Sequence, residues 1–194
     1  MRLLVIFGPP SVGKMTVGRA VAARSDFKLF HNHAVLEPIL EVFDYGTEPF
    51  KRLLGEFRGR VIDEAATAGT DLVLTYVWGL ELEEDARWVA ACIGPYADRG
   101  AEVAFVELCA DLDTRLQRNR TEHRLTEKRS KGDVEWSDDN VRELEQHVMN
   151  TGSDAATRTP GERLLAEHRH LRIDNTGLSA DEVAEQIMVW LDGR

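Results

Sequence analysis

The sequence predicts a three-layer α/β domain: a five-stranded parallel sheet with helices on both faces. Three observations predict it. Continuously apolar runs of strand length, such as RLLVIF and VAFVEL, alternate with longer segments whose apolar residues recur at helical spacing. Strands covered on both faces read as unbroken apolar runs, and parallel neighbours need a helical crossover between them. The 194 residues suit about one domain, and a chain of that size buries roughly 70% of its extended surface without staples.

The elements follow in order. Arg2–Phe7 is the first strand. Met15–Arg24 is a helix, with Val17, Ala20, Val21 and Arg24 at helical spacing. Phe27–Phe30 is a short second strand. Val35, Leu36, Ile39, Leu40 and Phe43 mark a helix whose start Pro38 places near Leu36. Pro49–Ala68 is a helix ended by Gly69, and Leu72–Val77 is the third strand. Glu81–Arg99 is helical and stops at Gly100; Val103–Leu108 is the fourth strand. Leu112–Arg120 opens a helix, and Ser137–Met149 is another, with Ser137 as its N-cap. Leu171–Ile173 is the last strand, and Ser179–Leu191 the last helix, opened by the capping-box pair Ser179 and Glu182. No linker or repeat divides the chain, so residues 1–194 are expected to form a single domain.

Composition narrows the function. Hydrophobic residues make up 43% and charged residues 30%, ordinary for a soluble globular protein. The net charge of −10 argues against a general affinity for nucleic acid or anionic membrane. No apolar run approaches the ~20 residues of a membrane span. Leu3–Phe7 is too short for a signal-peptide core and is interrupted by Gly8-Pro9-Pro10. Cys92 and Cys109 form no Cys-x-x-Cys pair, and a reducing cytoplasm is the expected compartment. A monomer or homodimer is expected, with a small molecule as partner.

In a parallel sheet, ligands bind outside the carboxyl ends of the strands. The segments to watch are therefore Gly8–Met15, His31–His33, Trp78–Glu81, Cys109–Asp111 and Asp174–Gly177. The first carries the strongest signal. Gly8-Pro9-Pro10-Ser11-Val12-Gly13-Lys14 lies between a strand and a helix and matches the G-x-x-x-x-G-K part of the Walker A phosphate loop. Its glycines permit a tight loop, its backbone N–H groups point inward, and Lys14 and the following helix N-terminus add positive charge. Gly8 through Lys14, with Met15 and Thr16, are the expected nucleotide contacts. The motif departs from its usual form after the lysine. Met15 stands where a Ser or Thr hydroxyl would meet Mg²⁺, and Thr16 is the one candidate metal contact, turned about 100° around the helix.

A second signal is electrostatic. Between Thr114 and Lys131 stand Arg115, Arg118, Arg120, Arg124, Lys128, Arg129 and Lys131, against Glu122 and Glu127. One reading is a solvated helix face. The other is a lid, spanning approximately 118–137, whose arginines close over phosphates and hold their oxygens bidentately.

The phosphate loop after the first strand, the Arg-rich segment after the fourth, and the late strand running into Asp174-Asn175-Thr176-Gly177-Leu178-Ser179 resemble the small P-loop kinases. Shikimate, gluconate and adenylylsulfate kinases are the nearest in kind, with chloramphenicol phosphotransferase and the nucleoside monophosphate kinases beside them. Arg120-Thr121 and Arg124-Leu125 resemble the lid entry of shikimate kinase. The resemblance implies strand order 2-3-1-4-5, ATP as donor and Mg²⁺ as cofactor. It also implies catalytic roles for Lys14, Arg120 and Arg124, and nucleotide contacts from Arg118, Asn175 and Thr176.

The acceptor side is less defined. Where these kinases often place an acidic residue after the second strand, this chain reads His31-Asn32-His33. Either one histidine packs on the sheet while the other caps the next helix, or one of them orients or deprotonates the acceptor. Asp44, Tyr45, one of Arg58 and Arg60, Tyr76 and Trp78 are further candidates for the acceptor pocket. The third strand ends without an acidic residue. The expectation is an ATP-dependent phosphotransferase acting on a hydroxyl or phosphate of a small molecule. The alternatives are a regulatory or sensing nucleotide-binding protein with little or no transfer, and a kinase of a macromolecular acceptor.

Overall fold

The computed structural model describes residues 1–120, 134–152 and 157–193, with side chains in the middle span from residue 137 onward. Five strands form one sheet: β1 Arg2–Phe7, β2 Lys28–Phe30, β3 Leu72–Tyr76, β4 Glu102–Cys109 and β5 Arg169–Asp174. All neighbours are parallel, in the order β2-β3-β1-β4-β5. The helices are α1 Lys14–Ala23, α2 His33–Leu40, α3 Glu48–Thr67, α4 Glu83–Ala97, α5 Leu112–Asn119, α6 Val134–Glu143, α7 Pro160–Leu165 and α8 Ala180–Asp192.

The unbroken apolar strands have the predicted cause. Leu3, Val5 and Phe7 pack with Ile62 and Ala66 of α3 and with Val89, Cys92 and Ile93 of α4. Leu4 and Ile6 pack on the opposite face with Val17 and Val21 of α1 and with Val183, Ile187 and Leu191 of α8. Fully burying each such side chain contributes about 1.5–3 kcal/mol, so the central strand anchors both layers. Register places Phe7 opposite Tyr76 on one side and Glu107 on the other. The carboxyl ends of β1 and β3 therefore lie level, and β4 runs two residues further, to Cys109. Asp71, at the far end of β3, bonds the backbone N–H of Arg2 at 2.7 Å and its Nε at 2.9 Å.

Local signals were mostly right, with three corrections. Helix α2 begins at His33, not near Leu36, and holds Pro38 inside it. The missing N–H of proline removes one bond in a helix that ends two residues later, and burial of Val35 and Leu36 offsets it. Ser137 is no N-cap. It lies within α6, fully buried, and its hydroxyl donates to Asn119 Oδ1 at 3.1 Å. The predicted helix to Met149 gives way at Leu144 to a 3₁₀ turn, Leu144–Gln146. Helix α7 was not predicted, although Thr159 and Glu162 form a full capping box at its start.

Glu107 holds the sheet edge to the segment after α6. Its side chain is completely buried. It accepts hydrogen bonds from Asn150 Nδ2 (3.0 Å), Thr151 N (2.8 Å) and Thr151 Oγ1 (2.8 Å), and it lies 3.0 Å from His170 Nε2 and 3.4 Å from Arg172 Nε. Burial alone would raise its carboxyl, but the bonds from His170, Thr151 and Asn150 outweigh it and hold the group below the ordinary glutamate value. A lowered folded-state pKa gives stability that is present above the unfolded value, about 4.3, and lost as pH falls through the folded one. Urea midpoints taken between pH 7 and pH 3 are therefore expected to fall on the acid side. Glu107→Gln is expected to be less stable at pH 7 and to show a flatter acid limb. An equally steep limb would assign the acid sensitivity to other carboxylates.

Candidate nucleotide and acceptor site

The phosphate loop is shaped by its glycines. Gly8 has φ +140° and Gly13 φ +105°, and Ser11, at φ +63°, is the one non-glycine residue with positive φ among the described residues. A Cβ on Gly8 would lie 2.2 Å from the backbone oxygen of Leu108, because the loop rests directly on β4. Gly13 caps α1 without any side-chain bond, and the first turn of α1 carries no acidic residue. The partial positive charge of that helix end is therefore left for an anion.

Where the loop's carbonyls go decides where its N–H groups point. In a trans peptide the C=O and the next N–H point in opposite directions. Lys14 Nζ donates to the carbonyls of Gly8 (2.8 Å) and Pro9 (2.7 Å). Arg115 NH1 reaches the Pro10 carbonyl at 3.5 Å. Arg118 NH1 (3.3 Å) and Asn175 Nδ2 (2.8 Å) hold the Val12 carbonyl. The N–H groups of Ser11 and Gly13 are thereby turned to the opposite side. Pro9 and Pro10 contribute no N–H at all, so the loop's donors are few and fixed.

Two residues of the basic run, Arg115 and Arg118, thus brace the loop. Arg115 is almost fully buried and also binds the Ala110 carbonyl (3.2 Å) and Glu145 (2.6 Å). Arg118 also binds the carbonyls of Asn175 (2.7 Å) and Thr176 (3.3 Å), drawing the β5–α8 connection toward the loop. Thr176 Oγ1 accepts from the Asp111 N–H at 3.3 Å. Lys14, Arg118, Asn175 and Thr176 are therefore brought to one place. Arg120 pairs with Asp138 at 2.6 Å. Arg124 and the remaining basic residues of the run lie outside the described residues, as does most of the 118–137 span.

The residues fit phosphates better than a metal. Thr16 is exposed and Met15 partly buried. Strands β1, β2 and β3 end in Phe7, Phe30 and Tyr76, without a carboxylate. Among the described residues no group of three His, Cys, Asp or Glu is placed to hold an ion. The loop with Lys14 suits a polyphosphate, whereas the start of α1 after the lysine offers a hard cation only the Thr16 hydroxyl.

Beyond β2 and β3 lies a second constellation. The Asn32 N–H donates to Thr75 Oγ1 at 3.4 Å, and its carbonyl accepts from Arg58 NH2 at 3.5 Å. His33 opens α2 with Nδ1 3.4 Å from Glu37. Asn32, not a histidine, occupies the N-cap of α2, without a side-chain bond. Of the two candidate arginines on α3, Arg58 is buried, whereas Arg60 is exposed and pairs with Glu64 at 2.5 Å. Among the described residues no carboxylate lies within ion-pair distance of Arg58. Its guanidinium sits 5.8 Å over Trp88, which stacks on Tyr76 at 4.3 Å. Burial pulls the Arg58 guanidinium down from its ordinary value. Tyr76 OH donates to Asp85 at 3.2 Å, and the Gly79 N–H donates to the other oxygen at 2.8 Å. Burial raises both the Tyr76 hydroxyl and the Asp85 carboxyl. Trp78 belongs to the core instead, 5.2 Å from Phe7. Asp44 and Tyr45 lie in an exposed turn, where Tyr45 packs on Phe50 at 5.2 Å. Trp88 and Asp85 escaped the sequence reading because they come from α4 rather than from a strand end. Their only sequence signal is a position in its first two turns.

Gly8→Ala is expected to destabilise the chain by about 3 kcal/mol or more, because its Cβ overlaps a backbone oxygen at a φ that alanine rarely adopts. Denaturant unfolding of the variant checks this. A loss below about 1 kcal/mol would mean that the loop shifts off β4 freely.

No protein-family model matches this sequence, and no curated protein is similar enough to match. Solved structures do match. A protein of Chloroflexus aurantiacus provisionally named a kinase aligns over 99% of this chain and 96% of its own, with TM-score 0.62 and 14% identity. The shikimate kinase of Bacteroides thetaiotaomicron aligns over 100% and 99%, with TM-score 0.56 and 16% identity. The tunicamycin resistance protein of Deinococcus radiodurans aligns over 98% and 96%, with TM-score 0.54 and 17% identity. Sheet order, phosphate loop and full-length alignment agree, and the chain has the fold of the small P-loop kinases.

Proposed function

We propose that this protein transfers the γ-phosphoryl group of ATP to a small acceptor molecule bound between α3, α4 and the end of β3. The observation that carries the reading is the pairing of two sites at one end of the sheet. One is a phosphate loop whose Pro10 and Val12 carbonyls are held by Arg115, Arg118 and Asn175. The other is a buried arginine, Arg58, beside the stacked Tyr76 and Trp88, with no carboxylate partner among the described residues. A buried cation without a partner is costly, so an acceptor that brings negative charge suits it. The solved structures that share the fold include proteins named as kinases of shikimate and gluconate, which supports the same class.

In this reading each residue has a task. Lys14 exchanges its two carbonyl acceptors for phosphate oxygens. The Ser11 and Gly13 N–H groups and the α1 N-terminus bind the same phosphates. Asn175, Thr176 and Arg118 bound the nucleotide on the β5 side. Arg120 and Arg124 stabilise charge on the transferring group. His31 or His33 orients the acceptor hydroxyl and receives its proton; positioning carries most of phosphoryl transfer, so a weak base suffices. Mg²⁺ would neutralise phosphate charge, held mainly by nucleotide oxygens and water.

A second reading, nucleotide binding without efficient transfer, is favoured by one observation: Met15 after the lysine and the carboxylate-free ends of β1, β2 and β3 leave the Thr16 hydroxyl as the one protein oxygen expected at the metal. A Mg²⁺ titration of the ATP complex of wild type and Met15→Thr separates the two. The kinase reading expects tighter Mg²⁺ binding and equal or faster transfer in Met15→Thr. Tighter metal binding without turnover favours the binder, and superimposed curves mean that another oxygen already serves the ion.

ATP at about 100 times its Kd should stabilise the fold by ~2.7 kcal/mol, roughly 5–11 °C in Tm. Lys14→Ala should lose most of that shift. Arg58→Ala should keep the shift and lose acceptor-dependent ADP release by about tenfold or more in a metabolite-library screen. An ATP shift absent from wild type overturns the nucleotide site. An Arg58→Ala variant that turns over normally moves the acceptor elsewhere.

A further inference from the structure

A buried polar chain runs from the phosphate loop to α6, and nothing in the proposed transfer uses its far end. Ser11 Oγ donates to Asn119 Oδ1 at 3.2 Å, and Ser137 Oγ donates to the same oxygen at 3.1 Å. Asn119 Nδ2 donates to Asp138 Oδ1 at 2.6 Å. Arg120 donates to Asp138 Oδ2 from Nε (2.7 Å), and its NH2 lies 2.6 Å from the same oxygen. Asn119 and Ser137 are each 1% exposed and Asp138 4% exposed. These groups come from the loop, the end of α5 and the middle of α6. Together they join all three elements through buried polar groups.

The direction of every bond follows from one residue. A carboxylate only accepts, so the Asn119 amide nitrogen must face Asp138. That leaves the Asn119 oxygen facing Ser11 and Ser137, whose hydroxyls must donate. Ser11 holds φ +63°, a conformation that residues other than glycine rarely adopt, at a point where the loop's N–H is turned inward. The bond to Asn119 helps keep it there. The same carboxylate grips Arg120 through two of its nitrogens and leaves NH1 without a bond among the described residues.

We propose that Asp138 is a positioning residue for the nucleotide: through Asn119 it fixes Ser11 in the phosphate loop. The proposal rests on the nucleotide-binding reading. It extends that reading to a residue outside the motif, on a helix that touches no phosphate.

The test is a double-mutant cycle read by isothermal titration of ATP with Mg²⁺ into wild type, Asp138→Asn, Ser11→Ala and the double variant. Asp138→Asn keeps the shape but lets a nitrogen face Asn119, which reverses the amide. It should bind ATP about tenfold more weakly. In the Ser11→Ala background, where the end of the chain is already removed, the further loss should shrink to about twofold or less. A merely structural Asp138 would lower stability in both backgrounds equally and show no such coupling. Wild-type affinity in Asp138→Asn, or full additivity of the two effects, overturns the proposal and leaves nucleotide binding standing. A wild-type chain that takes up no ATP overturns the nucleotide reading and the proposal with it. Circular dichroism checks folding. If Asp138→Asn is unfolded, Asp138→Ser, whose shorter side chain cannot span to the Asn119 amide, replaces it in the cycle with the same expectation.

Discussion

The site depends on which groups bind the carbonyls of the phosphate loop. The six residues between β1 and α1, residues 8–13, could satisfy their polar groups in many ways. Here the Gly8 and Pro9 carbonyls go to Lys14, the Pro10 carbonyl to Arg115, and the Val12 carbonyl to Arg118 and Asn175. Arg115, Arg118 and Asn175 draw the Pro10 and Val12 carbonyls toward them and so turn the Ser11 and Gly13 N–H groups the other way. The inward N–H groups are the consequence, not an independent feature. The prolines strengthen this by removing two donors and two φ freedoms from the same stretch.

That bracing ties distant parts of the chain together. Arg115 and Arg118 stand one helical turn apart on α5, so one face of a single short helix holds two loop carbonyls. Arg118 also binds the Asn175 and Thr176 carbonyls, which lie after β5. Parallel order makes this possible. Because β4 lies between β1 and β5, the loops that follow all three strands emerge side by side. The buried Glu107 then ties the segment after α6 to the same edge through Asn150 and Thr151. The phosphate loop is thus held in place from α5 and from the connection after β5.

The opposite half is built by other physics. Arg58 keeps a buried charge with only an aromatic face and one long carbonyl contact near it. Tyr76 is fixed from two sides, by Trp88 stacking on its ring and Asp85 accepting from its hydroxyl. In the proposed function an acceptor entering here would meet the stacked rings and a buried cation without a carboxylate partner among the described residues, so recognition would draw on charge and ring packing together.

The sequence by itself determined the sheet, its two helical layers and the phosphate loop. These follow from short-range rules: apolar runs, turn glycines, and a lysine at a set distance from two glycines. Serine and threonine caps were equally local, and Ser179 with Glu182 behaved as their spacing required. Tertiary structure decided what the charged residues do. A run of basic residues reads the same whether its members face phosphates, carbonyls or water. Only packing showed that Arg115 and Arg118 are turned onto the loop and Arg120 onto Asp138. Ser137 sat where a helix cap was expected, yet burial against α5 committed its hydroxyl to Asn119 instead. Arg58 and Arg60 differ by two positions, about 200° around the helix axis, which predicts that one faces inward but not which. The choice came from the sheet on one side and solvent on the other. Long polar side chains reach several ångströms from their own backbone, so their partners are set by neighbours in space, and those neighbours belong to elements far away in the chain.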